Sequence, residues 1–207
     1  VVTGRIGPGK TTLARALLGL YTKDAGEVRW NGEVVDAPAS FMVPPRCAYT
    51  SQVPRLFSEP LRDNILLGVP EERVDLTGAI ASAGLEQDVE ELEVGLDTVV
   101  GPRGVKLSGG QVLRTAAARM FVRGAELNLI DDISSGLDID TQGVFWQRFF
   151  DRKLTGIVVT HRRETLELAD HILLMEEGRV AAQGTLYWLL QNSAAMSEVW
   201  ASYENRP

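Results

Sequence analysis

The stretch GRIGPGKT, Gly4 to Thr11, constrains this chain more than any other. It fits G-x-x-x-x-G-K-[ST], and that pattern demands one local structure: a strand, a tight glycine loop, then a helix. The glycines let backbone N–H groups turn inward around phosphate oxygens. Lys10 is placed to reach β- and γ-phosphates, and the Thr11 hydroxyl to ligate Mg²⁺. The helix N-terminus adds its dipole. The expected phosphate-binding set is Gly4, Arg5, Ile6, Gly7, Pro8, Gly9, Lys10, Thr11 and Thr12. The bland alternative is a glycine-rich turn with no ligand. Average residue usage puts a chance match in a chain of this length at roughly one in a hundred.

The rest of the chain alternates strand-like and helix-like segments. Val1 to Thr3 read as the end of a strand with no initiator Met, so the chain is expected to be a fragment starting inside that strand. Residues 11–20 read as a helix with Leu13, Ala14, Leu17 and Leu18 on one face. Asn31-Gly32 lies between two short β-like runs, a hairpin signal. RCAYTSQ predicts a strand entering a loop at Gln52, and residues 61–93 read as helical and acidic. A helix is expected from Ser108 to about Arg123, a strand over ELNLID, a helix over TQGVFWQRFF, and a buried strand over TGIVVTH. Two strands around Glu177-Gly178 and a helical tail close the chain. This order predicts an α/β fold with a largely parallel sheet.

Composition narrows the partners. The net charge of −7 disfavours a broad electrostatic grip on nucleic acid, so no nucleic-acid partner is expected. No apolar run approaches the 18 residues of a membrane-spanning helix. The single cysteine, Cys47, allows no internal disulfide and reads as a small buried hydrophobe.

A phosphate loop needs a second group to hold Mg²⁺, usually an Asp ending a neighbouring apolar strand. Asp131, at the end of LNLI, suits that role, and Asp132 after it suits the orientation of an attacking water. Alternatively, Asp132 caps the next turn, where Asp is common. LSGGQ, Leu107 to Gln111, adds a second anion-facing feature: Ser108 can cap a helix while Gly109-Gly110 expose backbone N–H groups at its positive end. Alone, it is also compatible with an ordinary capped helix start.

Taken together, these segments resemble the nucleotide-binding domains of ABC (ATP-binding cassette) proteins, in their order and over essentially the whole chain. GRIGPGKTT is similar to Walker A, YTSQ carries the Q-loop Gln52, and LSGGQ is the signature. LNLIDD resembles Walker B, SSGLD the D-loop with Asp138, and VVTHR carries the H-loop His161. The resemblance is closest to exporters, in RLFSEPLRDNILLG, GLDTVVGPRGVKLSGGQ and ADHILLMEEGRVAAQGT.

The resemblance implies a P-loop NTPase cassette of ABC type: a mostly parallel sheet flanked by helices, with an inserted helical subdomain and most of the N-terminal β-subdomain missing. Expected boundaries are a core over about 1–55 and 124–190, a helical signature subdomain over about 56–123, and a helical tail over about 185–207. It implies ATP and Mg²⁺ as cofactors. Asp132, His161 and Gln52 are the catalytic set, and Thr11, Gln52 and Asp131 the metal set. Leu107, Ser108, Gly109, Gly110 and Gln111 would contact the ATP of a partner cassette paired head to tail. Transmembrane domains of an exporter are the other implied partners. The implied location is the cytoplasmic face of a membrane, the bacterial inner membrane. A lone chain would bind ATP but hydrolyse it poorly.

Three positions depart from the family pattern. Asp132 stands where Glu is usual, so its carboxylate recedes by about 1.3 Å, and a misplacement of about 1 Å can cost around a hundredfold in rate. Either the backbone compensates and the site works, or this half-site is degenerate and serves a partner. Ile6 replaces a usual Ser, and Gly136 a commoner Ala. The adenine-stacking aromatic of the family lies before the P-loop, and Tyr21 and Trp30, which follow it, read as structural. A non-transport ABC ATPase and a regulatory module that holds ATP without turnover are the competing classes.

Overall fold

A computed structural model describes residues 1–5, 7, 9–133 and 139–204, with no side-chain detail for 139, 140 and 204. Ile6, Pro8, Gly136 and the D-loop Asp138 therefore lie outside the described residues.

In chain order the elements are β1 (Val2–Thr3), α1 (Lys10–Leu17), β2 (Arg29–Trp30), β3 (Glu33–Val34), α2 (Pro38–Phe41), β4 (Cys47–Thr50), α3 (Leu61–Leu66), α4 (Leu76–Ala83), α5 (Glu86–Glu91), α6 (Gly109–Arg123), β5 (Leu127–Asp131), α7 (Ile139–Asp151), β6 (Gly156–Val159), α8 (Arg163–Glu167), β7 (Ile172–Glu176), β8 (Arg179–Gly184), α9 (Leu186–Asn192) and α10 (Ala194–Glu204). The main sheet runs β4-β5-β6-β1-β7-β8. Every pairing in it is parallel except β7 with β8. The mixed, mostly parallel sheet flanked by helices is the expected cassette architecture.

Short β-branched and leucine-rich runs make the central strands. Leu129 and Ile130 on β5, and Val158 and Val159 on β6, are buried, as strands covered on both faces must be. β2 and β3 form the hairpin expected at Asn31-Gly32, where both residues take positive φ, 50° and 90°. That is the geometry of a type I′ turn.

Two predicted boundaries are corrected. The first helix starts one residue early, at Lys10, and ends at Leu17 rather than residue 20. Gly19 takes φ +70° there, and an added Cβ would lie 2.4 Å from the Ala39 nitrogen, so the helix stops where the chain turns against α2. Residues 61–93, expected to be helical, divide into several short helices. Leu67 and Gly68 take positive φ after α3, and Pro70 follows. Asp75 caps α4 by accepting from Gly78 N at 2.8 Å, and Gly84 ends it with φ +64°.

Three apolar clusters pin this frame. One packs α3, α4, α6 and α7 against β4, β5 and β6 through Ile65, Leu85, Ala117, Ile130 and Phe145. A second lies under α1, with Ala14, Leu18, Cys47 and Leu129. Burial there pushes the Cys47 thiol up to about 11, so it stays protonated and behaves as the hydrophobe expected. A third packs α9 and α10 onto β7. Trp30 meets Phe41 edge-on at 5.8 Å, and Tyr21 accepts from Arg15 at 3.0 Å. Among the described residues, no helix is long and apolar enough to cross a membrane.

Candidate functional site

In an open parallel sheet, ligands bind beyond the carboxyl ends of the strands. Here β1, β4, β5 and β6 run side by side in one direction, and each ends in residues singled out above. β1 delivers the glycine loop, β4 leads to Gln52, β5 to Asp131 and Asp132, and β6 to Thr160 and His161.

Gly4 is obligatory for the turn out of β1. Its φ is +136°, and an added Cβ would sit 2.1 Å from the Met175 carbonyl oxygen on the adjacent strand. Gly9 closes the loop at φ +137° and leads into α1, whose N-terminus no side chain caps. Its first-turn N–H groups and dipole are directed at the loop.

Lys10, only 7% exposed, donates to the carbonyls of Arg5 (2.7 Å) and Gly4 (3.3 Å). Burial lowers the pKa of its ammonium, and the charges of Asp132 and Asp131 partly oppose that. A desolvated cation bonded to its own loop is a charge awaiting a stronger anion. Thr11 donates its hydroxyl to Asp131 Oδ1 at 2.9 Å. Asp131 is fully buried and also accepts from the Tyr49 hydroxyl on Oδ2 at 3.3 Å. Burial raises the Tyr49 pKa, while the bond from Arg15 opposes this, so Tyr49 keeps its proton for Asp131.

Asp132 is half-buried and turns away from the strand at φ +49°, with its N–H on the Val159 carbonyl at 2.9 Å. Asp is enriched several-fold in that left-handed region. Gln52 Nε2 donates to Asp132 Oδ2 at 3.2 Å, so two of the three expected catalytic residues meet although they follow different strands. Thr11 and Asp131 bring a hydroxyl and a carboxylate oxygen together, and oxygen donors are what Mg²⁺ selects. The residues present fit that ion.

His161 follows β6, and its Nδ1 lies 3.0 Å from the Tyr203 hydroxyl. Nothing in the sequence singled out Tyr203 or Tyr49, because each meets the site across many intervening residues with no local motif. Thr12 is exposed on α1, away from these contacts.

The signature lies apart, at the start of α6. Ser108 and Gln111 form a reciprocal capping box: Ser108 Oγ accepts from Gln111 N at 3.2 Å, and Gln111 Oε1 accepts from Ser108 N at 2.8 Å. Gln111 Nε2 also donates to Asp88 Oδ1 at 3.1 Å, and Arg114 grips Asp88 with bonds of 2.6 and 2.9 Å. Ser108 and Gly109 are exposed, and a Cβ on Gly109 would meet no heavy atom within 4 Å. No neighbour in this chain requires that glycine. Leu107 is half-buried against the core cluster that holds α6.

Residues 1–135 match the ABC transporter family, and the chain belongs to it. It is 35% identical over 207 residues to the ATP-dependent lipid A-core flippase of Pseudomonas fluorescens, covering 97% of this chain and 34% of that protein. It is 30% identical over 204 residues to the flippase of the same name from Haemophilus ducreyi, at 97% and 35%. The probable multidrug resistance ABC transporter ATP-binding/permease protein YheI of Bacillus subtilis is 33% identical over 195 residues, at 93% and 33%. A bacterial Atm1-family ABC exporter solved with ATP bound superposes with a TM-score of 0.88 at 29% identity, covering 100% of this chain and 36% of that one. The chain spans about a third of the length of the curated relatives it matches.

Proposed function

We propose that this chain is the ATP-binding and ATP-hydrolysing part of an exporter, paired head to tail with a second cassette at the cytoplasmic face of a membrane. The observation that carries this reading is the cluster beyond β1, β4 and β5: buried Lys10 on its loop carbonyls, Thr11 on Asp131, and Gln52 on Asp132. Lys10 would exchange the Gly4 and Arg5 carbonyls for phosphate oxygens. Thr11, Asp131 and Gln52 would hold Mg²⁺, which supplies charge neutralisation between the phosphates. Asp132 would orient the attacking water, with His161 on the transferred phosphate. Gly109 and Ser108 would meet the partner's ATP, which accounts for a helix-start glycine that no neighbour in this chain demands.

The helical segment 56–123 would then carry the signature as a unit beside the core. Val53 and Phe57, 75% and 61% exposed next to Gln52, would face the transmembrane domains. The relatives are named for different cargoes, so what they share is the motor.

Asp132 favours a working site over a degenerate one. Gln52 already holds its carboxylate, and the left-handed backbone suits Asp. The test is ATP turnover of the full-length protein, reconstituted in lipid, as found and as Asp132→Glu. Steady turnover changed less than about tenfold by the substitution supports Asp132 as a competent residue. A silent wild type restored by Asp132→Glu would identify the degenerate half of a heterodimer.

A further inference from the structure

The last helix of the chain closes back onto the nucleotide site. Tyr203, on α10, is 9% exposed, and its ring belongs to the C-terminal core with Leu166, Leu189, Met196 and Val199. Packing explains the ring. The hydroxyl contacts His161 Nδ1 at 3.0 Å, Thr3 Oγ1 at 3.1 Å and the Gly4 carbonyl oxygen at 3.3 Å. One phenol thus bridges the histidine after β6, strand β1 and the first glycine of the phosphate loop.

Proton counting assigns the roles. The Thr3 hydroxyl gives its proton to the Thr160 carbonyl, 2.9 Å away, so towards Tyr203 it can only accept. The Gly4 carbonyl can only accept as well. The single Tyr203 proton is therefore directed to the side of β1 and the loop. The contact with His161 is satisfied when Nδ1–H donates to the phenolic oxygen.

We propose that Tyr203 is a positioning residue for His161: it fixes the ring with a proton on Nδ1 and ties that orientation to the loop backbone at Gly4. The proposal rests on the ATPase reading above. Two further contacts brace the same helix. Trp200 lies against the Arg163 guanidinium at 4.0 Å, two residues beyond His161. Glu198 pairs with Arg5 of the loop, an exposed ion pair of small energetic weight. α10 therefore touches the phosphate loop and the segment after β6 together.

The test is ATP turnover by the full-length protein in lipid, as wild type, Tyr203→Phe, His161→Ala and the double variant. Phe keeps the ring in its core and removes only the hydroxyl. The expected result is a kcat about tenfold lower for Tyr203→Phe, short of the hundredfold that a full 1 Å misplacement brings. KM for ATP should stay within about twofold, and no further loss should appear in the His161→Ala background. An unchanged kcat, or losses that multiply in the double variant, would overturn the proposal. Selective ¹⁵N labelling of histidine supplies a readout independent of turnover and of any variant's folding. His161 should carry its proton on Nδ1 in the wild type, and a bare Nδ1 would also overturn it. A wild type that hydrolyses no ATP would defeat the ATPase reading, and the ¹⁵N measurement would then decide the role of Tyr203 alone.

Discussion

Two helix N-termini carry the motifs of this chain, and they are finished in opposite ways. α1 begins at Gly9 with no side-chain cap, and the buried cation at its first position bonds to the backbone of its own loop. α6 begins at Ser108 with a complete capping box, and Asp88 holds its first turns through Gln111 and Arg114. The first end forgoes a cap worth about 1 kcal/mol and desolvates an ammonium. The second is capped and braced by its own chain. On the proposed function, the difference separates a place where a ligand would complete the structure from a surface whose helix end its own chain already caps. Substitutions at the first should therefore strike chemistry more than folding; at the second, those that break its internal bonds should strike folding, and only its exposed Ser108 hydroxyl should strike chemistry as well.

The largest effect expected tests the first half of that contrast. Lys10→Met should cost about 10²–10³ in ATP turnover, the usual loss when a preorganised charge is removed from a transition state. Met is close in length and removes a desolvated ammonium, so the melting temperature without nucleotide should not fall. A fall of many degrees would show that Lys10 holds the loop together, and the contrast would fail there.

Next in size is Asp88→Ala. Asp88 and Arg114 side chains are 12% and 16% exposed, and the carboxylate accepts from both Arg114 and Gln111. Breaking a largely buried charge pair by removing one partner costs about 3 kcal/mol. Denaturant unfolding should show that loss, with KM for ATP unchanged because Asp88 lies away from the phosphate loop. A variant with full stability and lost turnover would move the Asp88 lock from structure into chemistry.

What the sequence made legible follows the same division. Features set by a few adjacent residues were readable: the glycine loop, the Asn31-Gly32 hairpin, the strand ending in Asp131, and a helix starting at Ser108. Strand order then brought Gln52 to Asp132 without any local signal between them, and only the family pattern had paired their roles. The Asp88 lock, the Tyr49 bond to Asp131 and the Tyr203 bond to His161 each join distant segments through one side chain. Such contacts leave no periodicity to read. The break-up of 61–93 was partly readable, since Gly68, Pro70 and Gly84 are helix-ending residues, but the acidic, apolar run between them masked the stops.

The smallest effect sharpens the contrast most, because it falls where both halves meet. Ser108→Ala removes the cap of α6, and an N-cap substitution of this kind costs about 1 kcal/mol. If Ser108 served only the helix, turnover would follow that modest loss of stability and recover at lower temperature. The hydroxyl, however, accepts from Gln111 N and keeps its own proton to donate, and it lies exposed beside a glycine that no neighbour demands. Turnover should therefore fall further than stability does, by about tenfold, the worth of one lost hydrogen bond to a charged group. In a mixed dimer, the loss should appear at the site whose phosphate loop belongs to the unaltered chain. Equal proportional losses in stability and turnover would reduce the signature to an ordinary capped helix, and the second N-terminus would then have no outside partner to await.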